Sequence, residues 1–257
     1  MGPSRILIAF QTIVVKEIRR FMRIWVQTLL PPAITMALYF VVFGNLIGPR
    51  IGEMDGHHYM DFIVPGLIMM SVITNSYSNV VSSFYGSKFN GSVEELLVSP
   101  TPNYVILMGF VLGGVSRGLL VAVIVTLVAT FFTDLHIHSY LVVIVIVFLT
   151  STLFALAGFI NAVFANSFDD ISIVPTFVLT PLIYLGGVFY SMDLLPEFWA
   201  NVSKLNPLVY VVNAFRYGML GVSDVSLGVA FGMILLFTVI AFSYSMHLLN
   251  SGKRLRQ

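Results

Sequence analysis

Long apolar runs separated by short polar gaps make up most of the chain. Six of them are long enough, at about 20 residues each, to cross roughly 30 Å of hydrocarbon. They cover residues 26–47, 62–84, 104–132, 139–165, 171–190 and 227–249. The runs are continuous rather than alternating, and backbone groups inside a bilayer find no water to bond. The pattern therefore predicts six transmembrane helices in an all-α integral membrane fold. No internal repeat or low-complexity linker divides residues 1–257, which read as one domain.

Two further stretches fit neither a span nor a solvated loop. Over residues 4–25, Leu7, Phe10, Val14, Ile18, Phe21 and Trp25 recur at helical spacing on one face. Arg5, Thr12, Lys16, Arg19, Arg20 and Arg23 gather on the other. This predicts an amphipathic interfacial helix, its apolar face in the acyl boundary and its cations toward headgroups. It serves either as a basic anchor or as part of a surface seen by a partner. Residues 191–226 are too apolar for a solvated loop and too broken for a span, and are expected to form re-entrant half-helices on the external side.

The polar gap at 92–99 carries its own signature, Ser92-Val-Glu-Glu-Leu-Leu-Val-Ser-Pro100. Ser92 and Glu95 have capping-box spacing, and Pro100 and Pro102 stop the helix. A short capped helix between spans 2 and 3 is the result.

Composition agrees with lipid as the solvent: 58% of the 257 residues are hydrophobic and 10% are charged. A net charge of +1 gives no case for a nucleic-acid partner, and the absence of cysteine excludes disulfides and thiolate chemistry. Orientation is expected from loop cations. With the N-terminus in the cytoplasm, Arg5, Lys16, Arg19, Arg20, Arg23, Lys88, Lys253, Arg254 and Arg256 lie inside, and Arg50, Lys204 and Arg216 outside. Both termini and the 92–99 helix then face the cytoplasm.

Candidate chemistry is sparse. Gly86 and Gly91 have the interval of a phosphate-binding loop, but Ser92 and Val93 stand where Lys and Ser or Thr are required. No nucleotide site follows on this chain. His57, His58, His136 and His138 read as solvated loop histidines, not a metal site. Asp169 and Asp170 are placed to favour the start of the fifth span through the helix dipole. No acid lies within any predicted span, which speaks against proton-coupled transport. Arg117 is the cation inside a span. It is free to bind an anionic headgroup, to bond a carbonyl, or to cap a kinked helix and snorkel, while its neighbouring glycines allow close helix contact. Asn75, Ser76 and Asn79, with Thr74, Ser78, Ser82 and Ser83, form a polar run in the second span. It suits a hydrated pathway or interhelical hydrogen bonds equally. Tyr184 and Tyr190 line the external exit or belong to packing and the interfacial aromatic belt.

Four segments together resemble the type-2 ATP-binding-cassette (ABC) permeases of bacterial inner membranes. They are Phe62-Ile-Val-Pro-Gly-Leu-Ile-Met-Met70, Glu94-Glu-Leu-Leu-Val-Ser-Pro100, Gly186-Gly-Val-Phe-Tyr190, and Asn206-Pro-Leu-Val-Tyr210 with Arg216 beyond. The resemblance implies an exporter of lipid, polysaccharide or drug-like cargo, working as a homodimer surrounded by membrane lipid. It also implies a separate ABC ATP-binding subunit that carries the ATP and magnesium. The 92–99 segment becomes the coupling helix, its start fixed by Ser92 and Glu95, its end by Pro100, with Glu94, Leu96 and Leu97 expected to face the ATP-binding partner. The competing readings are an ion-coupled carrier or channel, which needs embedded acids or paired broken helices, and a lipid-modifying enzyme, for which only the external His and Asp groups qualify.

Overall fold

The computed structural model describes residues 2–135 and 137–252. His136, Lys253, Arg254 and Arg256 lie outside the described residues. The chain forms ten helices among these residues: α1 Pro3–Arg23, α2 Trp25–Ile51, α3 Tyr59–Phe89, α4 Ser92–Val98, α5 Asn103–Ala129, α6 Tyr140–Phe164, α7 Asp170–Tyr184, α8 Glu197–Ser203, α9 Pro207–Leu220 and α10 Leu227–Ser251. A two-residue antiparallel pair, Glu53–Met54 with His57–His58, closes the turn before α3.

Five helices, α2, α3, α5, α6 and α10, are long and apolar enough to cross a membrane. The fifth predicted stretch differs. Its helix ends at Tyr184, and the chain turns through Gly187 at φ 74°. At 1.5 Å per residue α7 reaches only about 22 Å, short of the hydrocarbon thickness. Pro175 and Pro181 lie within it, and residues Pro175–Leu179 widen into a π-helix. In α2 a second π-helical segment runs over Phe40–Ile47.

The core is built around α3, which lies between α5 and α6 and is buried along most of its 31 residues. Glycines set how closely these helices approach. A Cβ on Gly114 would meet Val80 and Ala155, and one on Gly158 would sit 2.5 Å from the Tyr77 carbonyl. Small residues at such crossings let backbones pack without side chains between them. The outer helices α2 and α10 are buried over only 11% of their apolar windows.

The predicted re-entrant segment forms a 3₁₀ turn, Met192–Leu194, and the two half-helices α8 and α9. Asn206 caps α9, its side-chain oxygen accepting the Leu208 N–H at 3.0 Å. Most of α9 is buried, and it packs on α3, α6 and α10.

The amphipathic helix α1 is turned differently from the predicted stripe. Its buried residues are Ile13, Glu17 and Phe21, whereas Leu7 and Trp25 are exposed. The reason lies in α5. Gly109 and Gly113 form a smooth strip one turn apart, and Ile13 and Glu17 sit on it so closely that a Cβ at either glycine would come within 2.5 Å.

Candidate functional site

The helix α4 stands between the end of α3 and the start of α5, close to the predicted 92–99. Its start is not a capping box. Gly91 is the N-cap, in the left-handed region at φ 73°, and no side chain caps the helix. Ser92 is already the first helical residue, and its hydroxyl donates to the Ser87 carbonyl at 3.1 Å. Glycine reaches this backbone conformation without the Cβ penalty, so the turn needs no cap. The stop is as expected. Ser99, preceding Pro100, is extended at ψ 154°, and its hydroxyl donates to the Leu96 carbonyl at 2.6 Å.

Along α4, Val93 is buried, Leu96 and Leu97 are half-buried against the core, and Glu94 and Glu95 are exposed. Leu96 and Leu97, expected to face a partner, are instead turned partly onto the core, and Val98, 84% exposed, is the most outward apolar side chain of the helix. Lys88, expected among loop cations, is buried within the last turn of α3. Its ammonium donates to the carbonyls of Val163 and Ala165 at 2.9 and 2.8 Å. Val163 is in the last turn of α6 and Ala165 caps its end, so neither carbonyl has an intrahelical partner. The ends of α3 and α6 are thus bonded together beside α4. Phe168, in the following loop, packs edge-on against Tyr85 and Phe89 at 4.9 and 5.1 Å. At the start of α7 the Asp170 carboxylate accepts the Asn166 N–H at 2.9 Å. This bond, with the Ser167 hydroxyl, holds its carboxyl below the usual carboxylate range.

A buried polar seam joins α1, α3 and α5. Arg20 donates to the carbonyl and side-chain oxygens of Asn79 at 2.8 and 2.9 Å, and pairs with Glu17 at 3.4 Å. Glu17 is fully buried, so the bundle does enclose a carboxylate, delivered by α1 rather than by a span. Its spacing from Ile13 and Phe21, four residues each way, was the sequence signal for this. Arg117 donates to Asn75 Oδ1 at 2.7 Å and to the Thr28 carbonyl at 3.2 Å. Asn75 and Arg117 border a groove of about 320 Å³ between α2 and α3. Ser76 is elsewhere, buried against Gly118 and Ser151, and Asn79 is taken up by Arg20.

At the far end of the bundle, Tyr184 approaches Tyr39, their hydroxyls 3.4 Å apart, and both rings neighbour Phe189. Tyr190 is half-buried beside them in sequence. Arg216 requires a correction: expected in an external loop, it is 0% exposed. Its guanidinium donates to the Gly187 carbonyl at 2.6 Å, faces Asp224 at 4.0 Å and lies over the Phe62 ring. Helix α9 carries it inward because the helix is enclosed by α3, α6 and α10 and leaves its side chains little access to solvent. Gly66 meets the backbone of Val188, where a Cβ would lie 2.7 Å from the carbonyl oxygen. Asn206 donates to the Leu182 carbonyl at 2.7 Å. Three segments distant in sequence thus converge on one node.

A cavity of about 300 Å³ is lined at this end by His57, Asp61, Asp134 and His138. The Asp61 carboxylate accepts the Thr133 hydroxyl. Among the described residues no three His, Asp or Glu side chains converge as metal ligands.

Residues 8–220 match the ABC-2 type transporter family model. The chain is 58% identical over 249 residues to the inner membrane transport permease YadH of Escherichia coli K12, covering 97% of each chain. It is 24% identical over 214 residues to nodulation protein J of Rhizobium leguminosarum bv. viciae, covering 83% of each.

Proposed function

Because the chain belongs to the ABC-2 type transporter family, we propose that it is the permease subunit of an ATP-driven exporter. It works as a homodimer in the bacterial inner membrane with both termini cytoplasmic, and moves a lipid, polysaccharide or drug-like cargo outward by alternating access. ATP and magnesium are held by a separate ABC ATP-binding subunit.

The observation that carries this reading is α4. It is seven residues long, bounded by Gly91 and Pro100, and presents Glu94, Glu95 and Val98 outward. Its buried edge, Val93 with Leu96 and Leu97, is seated on the core. A short rigid element joined directly to two long helices converts a push from a partner into a tilt of both. The Lys88 bonds extend that tilt to α6. Among the candidate pathway residues, Asn75 and Arg117 have groove access, Ser76 and Asn79 are held in helix contacts away from it, and Tyr184 and Tyr190 belong to the exit end.

The test is co-purification. The chain alone is expected to hydrolyse no ATP, and to acquire hydrolysis when co-expressed with an ABC ATP-binding subunit that it captures. Intrinsic hydrolysis, or failure to capture any such subunit, overturns the proposal.

A further inference from the structure

We propose that the groove between α2 and α3 binds an anionic lipid, with its acidic headgroup paired to Arg117 and its chain laid along Pro31, Met36 and Met70. The inference rests on reading the chain as a membrane transport subunit, and it names the ligand class of one site in it.

Arg117 supplies the first argument. A cation within a membrane helix is costly unless it is paired or reaches water. Among the described residues Arg117 forms no ion pair, and both of its hydrogen-bond partners, Thr28 and Asn75, are neutral. Its Nε is buried without a hydrogen-bond partner. The one carboxylate in the seam, Glu17, is already engaged by Arg20 and Lys16. The seam therefore carries more positive than negative charge, and the surplus sits at the groove. An acidic oxygen is the complement, and charge-assisted bonds to a guanidinium are the strong ones.

The groove supplies the second. Pro31, Met36 and Met70 make an apolar wall, and Thr74, Asn75 and Ser78 make a hydroxyl and amide wall beside Arg117. Free phosphate would leave the apolar wall unused. A neutral hydrocarbon would leave Arg117 without its counter-charge. An amphiphile with one acidic head satisfies both.

The experiment titrates the purified full-length chain with dioctanoyl-phosphatidylglycerol, dioctanoyl-phosphatidylcholine and inorganic phosphate. The expected result is a preference of about tenfold or more for phosphatidylglycerol over phosphatidylcholine, with no competition from inorganic phosphate. Arg117→Gln is expected to abolish the preference. Thr74→Trp, which fills the groove from its exposed rim and leaves Arg117 intact, is expected to weaken binding of both lipids. Equal affinity for the two lipids, competition by inorganic phosphate, or an unchanged preference in Arg117→Gln overturns the proposal. So does a Thr74→Trp chain that changes its oligomeric state while binding lipid as before, because a second copy then covers the groove. Should Arg117→Gln fail to fold, the wild-type preference and Thr74→Trp still decide. Capture of an ATP-binding subunit is scored separately on wild type. Its failure beside a retained lipid preference removes the exporter reading and leaves the lipid site.

Discussion

The Arg216 guanidinium lies 3.9 Å from the centre of the Phe62 ring, joining the half-helix α9 to the first turn of α3, the most buried of the five membrane-length helices. The same guanidinium holds the Gly187 carbonyl and faces Asp224, whose carboxylate also accepts the Met192 N–H at 2.9 Å. Arg216→Ala removes the cation and leaves a buried carboxylate. Losing one partner of a buried pair costs roughly 3–5 kcal/mol. A large fall in the thermal midpoint in detergent is expected. Phe62→Leu keeps the pair and loses only the ring face, about 2 kcal/mol. A double-mutant cycle should show coupling between the two positions, and additive effects would refute the contact.

The seat of α1 on α5 gives a second prediction. Gly113→Ala introduces a methyl 2.5 Å from Glu17 Cβ, and overpacking of this kind costs about 1–3 kcal/mol. Protease cleavage within residues 3–23 should accelerate. Gly86→Ala is the control, since a Cβ there meets nothing within 4 Å.

Lys88→Met should loosen the end of α6 without unfolding the bundle. Two charge-assisted bonds to carbonyls are lost, each worth about 1.5–3 kcal/mol. Hydrogen exchange should rise over residues 160–166 and stay unchanged at the start of α6. Unchanged exchange at both ends would remove the bonding role.

The observed start of α4 separates two neighbouring substitutions. Ser92→Ala should alter stability by less than about 0.5 kcal/mol, because Ser92 does not cap the helix, whereas loss of a true cap costs roughly 1 kcal/mol. Gly91→Ala forces a side chain into the left-handed region and should cost about 1–2 kcal/mol. The reverse ranking in a chemical denaturation series would restore the capping box.

On the proposed function, Glu95→Ala and Leu96→Asp should leave membrane insertion intact and separate ATP hydrolysis from transport in reconstituted vesicles. Transport equal to wild type in both variants would sink the lever reading.

How much of this was legible in the sequence depends on the scale of the feature. The long helices were, because lipid enforces a length and an apolar content that no tertiary contact overrides. The stop of α4 was legible in Pro100, a local rule. Its start was not, because Gly91 and Ser92 compete for the cap, and only the backbone angle decides between them. Lys88 and Arg216 lie elsewhere than their charge alone suggests, for a common reason. A cation marks water only when nothing inside can hold it, and each is held by carbonyls or a counter-charge that distant segments bring. The candidate pathway residues occupy several separate places because side-chain direction around α3 is a tertiary fact: Asn75 borders the groove, and Ser76, one residue on, is buried against Gly118 of α5.

The wide winding of α2 from Phe40 to Ile47 has a consequence for how this chain tolerates insertions and deletions. A π-turn holds one residue more than the α-turn it replaces. Deleting one residue there is therefore expected to tighten the helix and leave the segments on either side in register. The same deletion in the middle of α3 would rotate everything beyond it by about 100° and turn buried faces outward. Length variation among descendants of this sequence should accordingly collect in the second half of α2 and be absent from α3, leaving the loosely wound helix free to lose or gain a residue where the tightly packed one is not.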